Sequence, residues 1–284
     1  MGDAVARKLN EHGFKIIGFS RRKEISNDIY GADNVVITDY VELTKKLFGV
    51  DCVVHFAAKA HKQERANRNF EAYLADNVTL TRQVAEAALN AGVQTFIYIS
   101  TIAVYGLKSS NKVIEETHQV NPATPYAESK LIAEKELMDM FRNSNAQLII
   151  LRPPLIYGKF APGNFGKLLK FVNLGIPLPL IGVNNTRSCI SVDSLAAKIM
   201  KVISHEGNAS GIYNITDQPD LSTIDLVRLA GKIQGKQVRL FKFIPRTQIW
   251  LLKLIGKRGL AETLFEDLKI DTSKFNRKFN PVEQ

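Results

Sequence analysis

Cysteine is nearly absent from this 284-residue chain: Cys52 and Cys189 are the only two, each among apolar neighbours. Two isolated thiols cannot build a disulfide framework, and they read as buried and reduced, which fits a cytoplasmic protein. Long apolar runs are missing as well. No stretch reaches the roughly 18–20 residues needed to cross a bilayer, so no integral membrane segment is expected, and no secretory leader is evident. A myristoylation signal would need Ser or Thr at position six, where Ala6 stands. Acidic residues are in deficit, Asp+Glu 28 against Lys+Arg 38 for a formal net charge of +10. Such a balance suits an anionic ligand, nucleic acid or an acidic membrane surface. The cations are spread along the chain, without aromatic RNA-binding motifs or zinc-finger spacing, so no nucleic-acid partner is expected. His55 and His61 lack companion ligands at metal spacing, and no metal site is expected.

What the chain does contain is strand–helix alternation. Short runs rich in Val, Ile, Leu and Phe occupy 14–19, 34–37, 50–58, 95–100 and 147–154. Continuous apolar runs of that length fit strands covered on both faces. Helical patterns fill 40–48, 70–91 and 125–142. The alternation predicts an α/β fold, a Rossmann-like doubly wound parallel sheet. A dinucleotide-binding domain is expected over residues 1–155. Residues 156–284, punctuated by glycine and proline and holding short strands such as 211–216, are expected to form mainly a smaller substrate-binding lobe, with some segments returning to the first domain. The basic, amphipathic segment 241–258 reads as core packing of that lobe rather than as a surface attachment. Asp193 reads as the cap of the helix after it.

The densest chemistry lies in TFIYISTIAVYG (95–106) and PYAESK (125–130). Tyr126 and Lys130, four apart on a predicted helix, share a face. An ammonium beside a phenol stabilises the phenolate and lowers its pKa toward working pH, which makes Tyr126 a candidate proton carrier. The hydroxyls of Ser100 and Thr101 stand at the carboxyl end of a parallel strand, where ligands bind in such sheets.

These motifs, with HFAAKAH (55–61), NVTLTRQVAEAA (77–88), LRPPLIYG (151–158) and RSCISVDSLA (187–196), resemble the extended short-chain dehydrogenase/reductases, the NAD-dependent epimerase/dehydratase family. The similarity covers nearly the whole chain, with the motifs in family order. It implies that Thr101 hydrogen-bonds a sugar oxygen, with Ser100 as the runner-up. It implies that Tyr126 moves the proton and that Lys130 holds the cofactor ribose. It also places Gly2, Ser20, Arg21, Arg22, Asp39, Ala57, Ala58 and Asn77 against a dinucleotide, Arg187 on the substrate diphosphate, and Asn164 on the same phosphates or the sugar. Dehydrating members carry Asp-Glu after the threonine; here Ile102 and Ala103, which cannot shuttle protons, stand in that frame. The resemblance therefore implies redox at C4 of a UDP-sugar, as in UDP-hexose 4-epimerases and UDP-N-acetylquinovosamine-type 4-ketoreductases, with a slight tilt to the reductase. Ser20-Arg21-Arg22, in place of the acidic residue that holds the NAD ribose, would suit the 2′-phosphate of NADP, so NADP or NAD is the expected cofactor. A homodimer is implied by resemblance alone. The family opens with a strand and G-x-x-G-x-x-G; here Gly2 aligns with the third glycine, and the first strand and two glycines are expected to be missing. The alternative is thus a catalytically impaired or non-catalytic member that still binds a nucleotide sugar.

Overall fold

The computed structural model describes residues 2–20, 34–36, 40–56, 70–159, 161, 163–242 and 258–280, with isolated positions 247, 250, 254 and 256. In chain order the strands are β1 (Gly18–Ser20), β2 (Asn34–Val36), β3 (Cys52–His55), β4 (Thr95–Ile99), β5 (Gln147–Arg152), β6 (Leu155–Tyr157), β7 (Leu178–Ile181), β8 (Cys189–Ser191), β9 (Gly211–Asn214) and β10 (Leu240–Lys242). The helices that matter here are α1 (Gly2–Glu11), α2 (Tyr40–Leu47), α3 (Phe70–Leu74), α4 (Leu80–Asn90), α5 (Pro125–Phe141), α6 (Gly163–Asn173), α7 (Val192–Ile203) and α8 (Thr223–Ile233).

The central sheet runs β3-β4-β5-β9, parallel throughout. Alternation along its strands divides the core in two. Phe96, Tyr98, Leu148 and Ile150 point to one face and pack with residues of α2, α4 and α5. Ile97, Ile99, Ile149 and Leu151 point to the other and pack with α1, α6 and α7. Both faces are covered, so the middle of these strands, 96–99 and 148–151, is apolar at every position and reads as continuous runs in the sequence. The fold is the expected α/β architecture with a parallel sheet. The 211–216 segment supplies the sheet's far edge by pairing with β5.

The front of the chain differs from expectation in length. Only Gly18–Ser20 of the 14–19 run is strand, paired in parallel with β2. Among the described residues β3 pairs only with β4; it is half-buried over Cys52, Val53 and Val54, whereas β4 is buried from Phe96 onward. Among the described residues no strand joins β1 to β3. Phe14, Ile16 and Phe56 instead pack part-buried against the α1/α7 side of the core.

Two further pairings, β6 with β8 and β7 with β10, extend the structure beyond β5. Of the segment 241–258, read as core, only residues 241, 242, 247, 250, 254, 256 and 258 are described. Leu178 and Leu180 of β7 turn inward, while Ile181, Phe241, Trp250 and Leu254 are exposed. A two-stranded ribbon has one covered face, so its alternate residues must meet solvent. Asp193 is likewise not the cap of α7. Ser191 is, its hydroxyl accepting from the amide of Ser194 at 3.0 Å; Asp193 lies one residue inside the helix, 3.8 Å from Lys8.

Candidate active site

Thr101 and Tyr126 are delivered by two helix starts. Thr101, extended at φ −163°, caps the short 3₁₀ turn Ile102–Tyr105, its Oγ1 accepting from the Ala103 amide at 3.2 Å. That leaves the hydroxyl proton free to be given to a ligand. The turn closes on Gly106 at φ +74°, where an added Cβ would stand 1.8 Å from the Asn121 carbonyl oxygen. A Gly106→Ala variant is therefore expected to lose at least about 2 kcal/mol in urea unfolding, from the left-handed conformation and the backbone clash together. On α5, Thr124 caps by accepting from the Ala127 amide at 3.2 Å and Pro125 takes the first helical position. Tyr126 follows directly.

Lys130 lies one turn further along α5 and is buried. Its ammonium stacks 4.1 Å from the centroid of the Tyr98 ring and has no hydrogen-bond partner among the described residues. Burial lowers its pKa to about 7, partly offset by the charge of Glu134. The phenol's pKa is raised here, not lowered as expected. Burial, with Tyr73 adding to it, pushes Tyr126 up to about 12. The i,i+4 spacing puts both side chains on one face, and the lysine ammonium rests over the Tyr98 ring. Tyr126 is a neutral phenol at pH 7, the form that donates a proton.

Beneath these residues runs a buried polar network that the sequence motifs do not name. Glu134, fully buried, accepts from Arg152 Nε at 3.0 Å and Nη2 at 2.5 Å. It also accepts from the Ser100 hydroxyl. Arg152 Nη1 donates to Tyr105 Oη at 2.9 Å, and that hydroxyl donates to Asn214 Oδ1 at 3.0 Å. The network ties α5 to the ends of β4, β5 and β9, and so fixes the strand end that carries Thr101 relative to the helix that carries Tyr126. Ser100 is therefore corrected from substrate contact to network member: its side chain is 3% exposed and already engaged.

Asn77 acts from the other side. It sits fully buried in a π-helical segment, Ala75–Thr79, between α3 and α4. Its Nδ2 donates to Ser129 Oγ at 2.9 Å, and Ser129 Oγ donates to the Tyr126 carbonyl at 2.8 Å. The wide π turn, a common device at functional sites, aims this amide at the first turn of α5. His55, at the end of β3, pairs through Nε2 with Thr81 Oγ1 at 3.0 Å. Burial and the Lys130 charge lower it to about 3, so it is a neutral wall of the site.

Of the other expected residues, Gly2, Ser20, Asn164 and Arg187 are described. Gly2 opens α1 beside Phe56, but a Cβ there would meet that ring at an ordinary 3.6 Å, so the position does not demand glycine. Ser20 ends β1; Arg21, Arg22, Asp39, Ala57, Ala58 and His61 lie outside the described residues. Asn164 is exposed on the first turn of α6. Arg187 is committed to main-chain carbonyls, at 2.8 Å from Glu266 and 3.0 Å from Lys108, which corrects its reading as an open diphosphate clamp. Burial pushes the Cys52 and Cys189 thiols up to about 12, leaving them unreactive. A cleft of about 510 Å³ between Tyr157, Ser191, Lys198, Asp217 and Asn276 contains none of Thr101, Tyr126 and Lys130.

A family model described as "NAD dependent epimerase/dehydratase family" matches residues 1–216. The chain is 32% identical over 230 residues to the UDP-glucose 4-epimerase of Vibrio cholerae, covering 78% of this chain and 68% of that protein. It is 31% identical over 204 residues to the N-acetyl-alpha-D-glucosaminyl-diphospho-ditrans,octacis-undecaprenol 4-epimerase of Escherichia coli O157:H7, covering 71% of this chain and 60% of that one. In fold it matches the UDP-glucuronic acid 4-epimerase of Bacillus cereus, whose structure is a complex with NAD. The TM-score is 0.73 at 21% identity, over 100% of this chain and 90% of that one.

Proposed function

The chain belongs to the NAD-dependent epimerase/dehydratase family, and on that premise we propose that it carries out NAD(P)-dependent oxidoreduction at C4 of a UDP-sugar. The observation that carries the proposal is the orphaned ammonium of Lys130, buried one helical turn beyond Tyr126. A buried cation without an acceptor is costly, and a pair of ribose hydroxyls would supply acceptors to it. A bound nicotinamide would supply or take the hydride at the sugar carbon. Tyr126 then gives its proton to the C4 oxygen as the carbonyl is reduced, or takes it back as the carbinol is oxidised. Thr101 Oγ1 orients that oxygen by donating to it. Ile102 and Ala103 next to Thr101 offer no acid or base for water elimination, which separates this chemistry from dehydration.

Reduction of a 4-keto sugar, which takes up the proton of a neutral phenol, is the first form of the reaction to test, with 4-epimerisation as the same chemistry run out and back. Arg21 and Arg22 after Ser20 favour NADP over NAD by offering guanidiniums to a 2′-phosphate. In the test, the protein is incubated with NADPH or NADH and UDP-4-keto-6-deoxyglucose, UDP-glucose or UDP-N-acetylglucosamine. Coenzyme oxidation is followed by absorbance and sugar products by chromatography. Tyr126→Phe is expected to lower kcat by at least about 100-fold while UDP affinity holds within about twofold. Full turnover by that variant, or a protein whose thermal midpoint rises with UDP but with neither coenzyme, would overturn the assignment.

A further inference from the structure

Two stretches of the chain contain no acidic residue at all. Residues 159–192 hold four lysines and arginines, and residues 226–261 hold nine, without one Asp or Glu in either. The fold joins them: β7 from the first pairs with β10 from the second, and α6 packs on α8. On α6, Lys167, Lys170 and Phe171 are exposed, with Leu174 just beyond its end, and their i, i+3, i+4, i+7 spacing sets them along one line. Ile176 follows, exposed. Ile181 is the register partner of Lys242, next to exposed Phe241. Lys232, Lys236 and Arg239 are exposed on the approach to β10. Past it, Trp250 and Leu254, four apart, are 59% and 68% exposed. Among the described residues none of the lysines named here, nor Arg239, is in an ion pair.

We propose that this surface docks the protein, as a peripheral component, on an anionic lipid membrane. Exposed large apolar side chains grouped together mark an interaction site. Set among unpaired cations, they match a bilayer interface, where apolar side chains enter the acyl boundary and lysines meet anionic headgroups. Nucleic acid would use the cations but has no place for Phe171, Leu174, Ile176 and Ile181. A second copy of this chain is disfavoured by symmetry, because a two-fold contact through this patch would set its cations against one another. The inference stands independently of the C4 chemistry.

Trp250 is the single tryptophan, so its emission reports on this segment alone. The full chain is sedimented with vesicles of phosphatidylcholine, and with vesicles of equal parts phosphatidylcholine and phosphatidylglycerol. Partitioning is expected to be about tenfold or more stronger on the anionic vesicles and to weaken as salt rises. It should come with a blue shift of the Trp250 emission and quenching by brominated lipid. Lys170→Glu with Lys242→Glu is expected to cut binding about tenfold or more. Phe171→Ser with Leu174→Ser should abolish it, with circular dichroism confirming that both variants remain folded. Equal binding to neutral and anionic vesicles, or no loss in either variant, overturns the proposal. So does a wild-type dimer that Phe171→Ser with Leu174→Ser converts to monomer without any vesicle affinity. Displacement of the protein from anionic vesicles by RNA whose binding ignores Phe171 and Leu174 would overturn it as well.

Discussion

Replacing Glu134 by leucine is expected to destabilise the protein by about 3–5 kcal/mol, and replacing Arg152 by methionine in the same chain is expected to recover most of that loss. Glu134 is fully buried and Arg152 is 3% exposed, so the single change leaves a guanidinium without its carboxylate in a place water does not reach. The double change removes both charges, and hydrophobic residues of similar volume are tolerated where a buried ion pair stood. Urea unfolding of wild type, both singles and the double, with matching m-values, closes the cycle. A Glu134→Leu loss under about 1 kcal/mol would mean that the pair is solvated in the folded protein. The milder Glu134→Gln keeps the shape and one acceptor while removing the charge. Because Glu134 holds the Ser100 hydroxyl at the strand end before Thr101, this variant is expected to lower kcat while leaving KM nearly unchanged, the pattern of a lost transition-state alignment.

The sheet and its helices were legible because both faces of the sheet are covered. Every residue of 96–99 and 148–151 is apolar, and no solvent-exposed alternation blurs the run. The start of α5 was legible too, since Thr124-Pro125 is a cap followed by the residue best suited to a first helical position. What sequence spacing could not supply was direction along a side chain. Tyr126, Lys130 and Glu134 follow one another at i, i+4 and i+8, so all three share a face, but spacing does not say that the lysine ammonium lies over the Tyr98 ring or that Glu134 reaches Arg152. Glu134 itself looks like one of the ordinary exposed glutamates in ESKLIAEKEL. The signal that singles it out is that it continues the buried stripe of Ala127, Lys130 and Leu131, with its partner Arg152 closing a buried strand eighteen residues later. In the segment 241–258 amphipathic spacing shows that an apolar face exists but not which way it looks; of its described residues, Phe241, Trp250 and Leu254 are exposed.

Replacing Lys130 by methionine is expected to stabilise the protein while disabling it. A lysine whose pKa falls from 10.5 unfolded to about 7 folded must bind its proton at a cost in the native state. Below pH 7 both states carry the proton and the penalty is complete, about 4–5 kcal/mol at 1.36 kcal/mol per unit. Between pH 7 and 10.5 the unfolded chain binds more protons than the folded one, so wild-type stability climbs relative to the variant. Above 10.5 both lysine states are neutral and the two proteins converge. Unfolding free energies at pH 6, 8 and 10 should therefore show a gap in favour of Lys130→Met that narrows as pH rises. The same lysine predicts a signature of coenzyme binding. Hydroxyl acceptors on its ammonium favour the charged form, so NADP or NAD binding near pH 8 should draw protons from solution. Calorimetric titrations in buffers of different ionisation enthalpy measure that uptake directly, and Lys130→Met should show none. Equal stability of the two proteins at pH 6 would mean that the ammonium reaches water, and the orphaned cation would then no longer argue for a ribose.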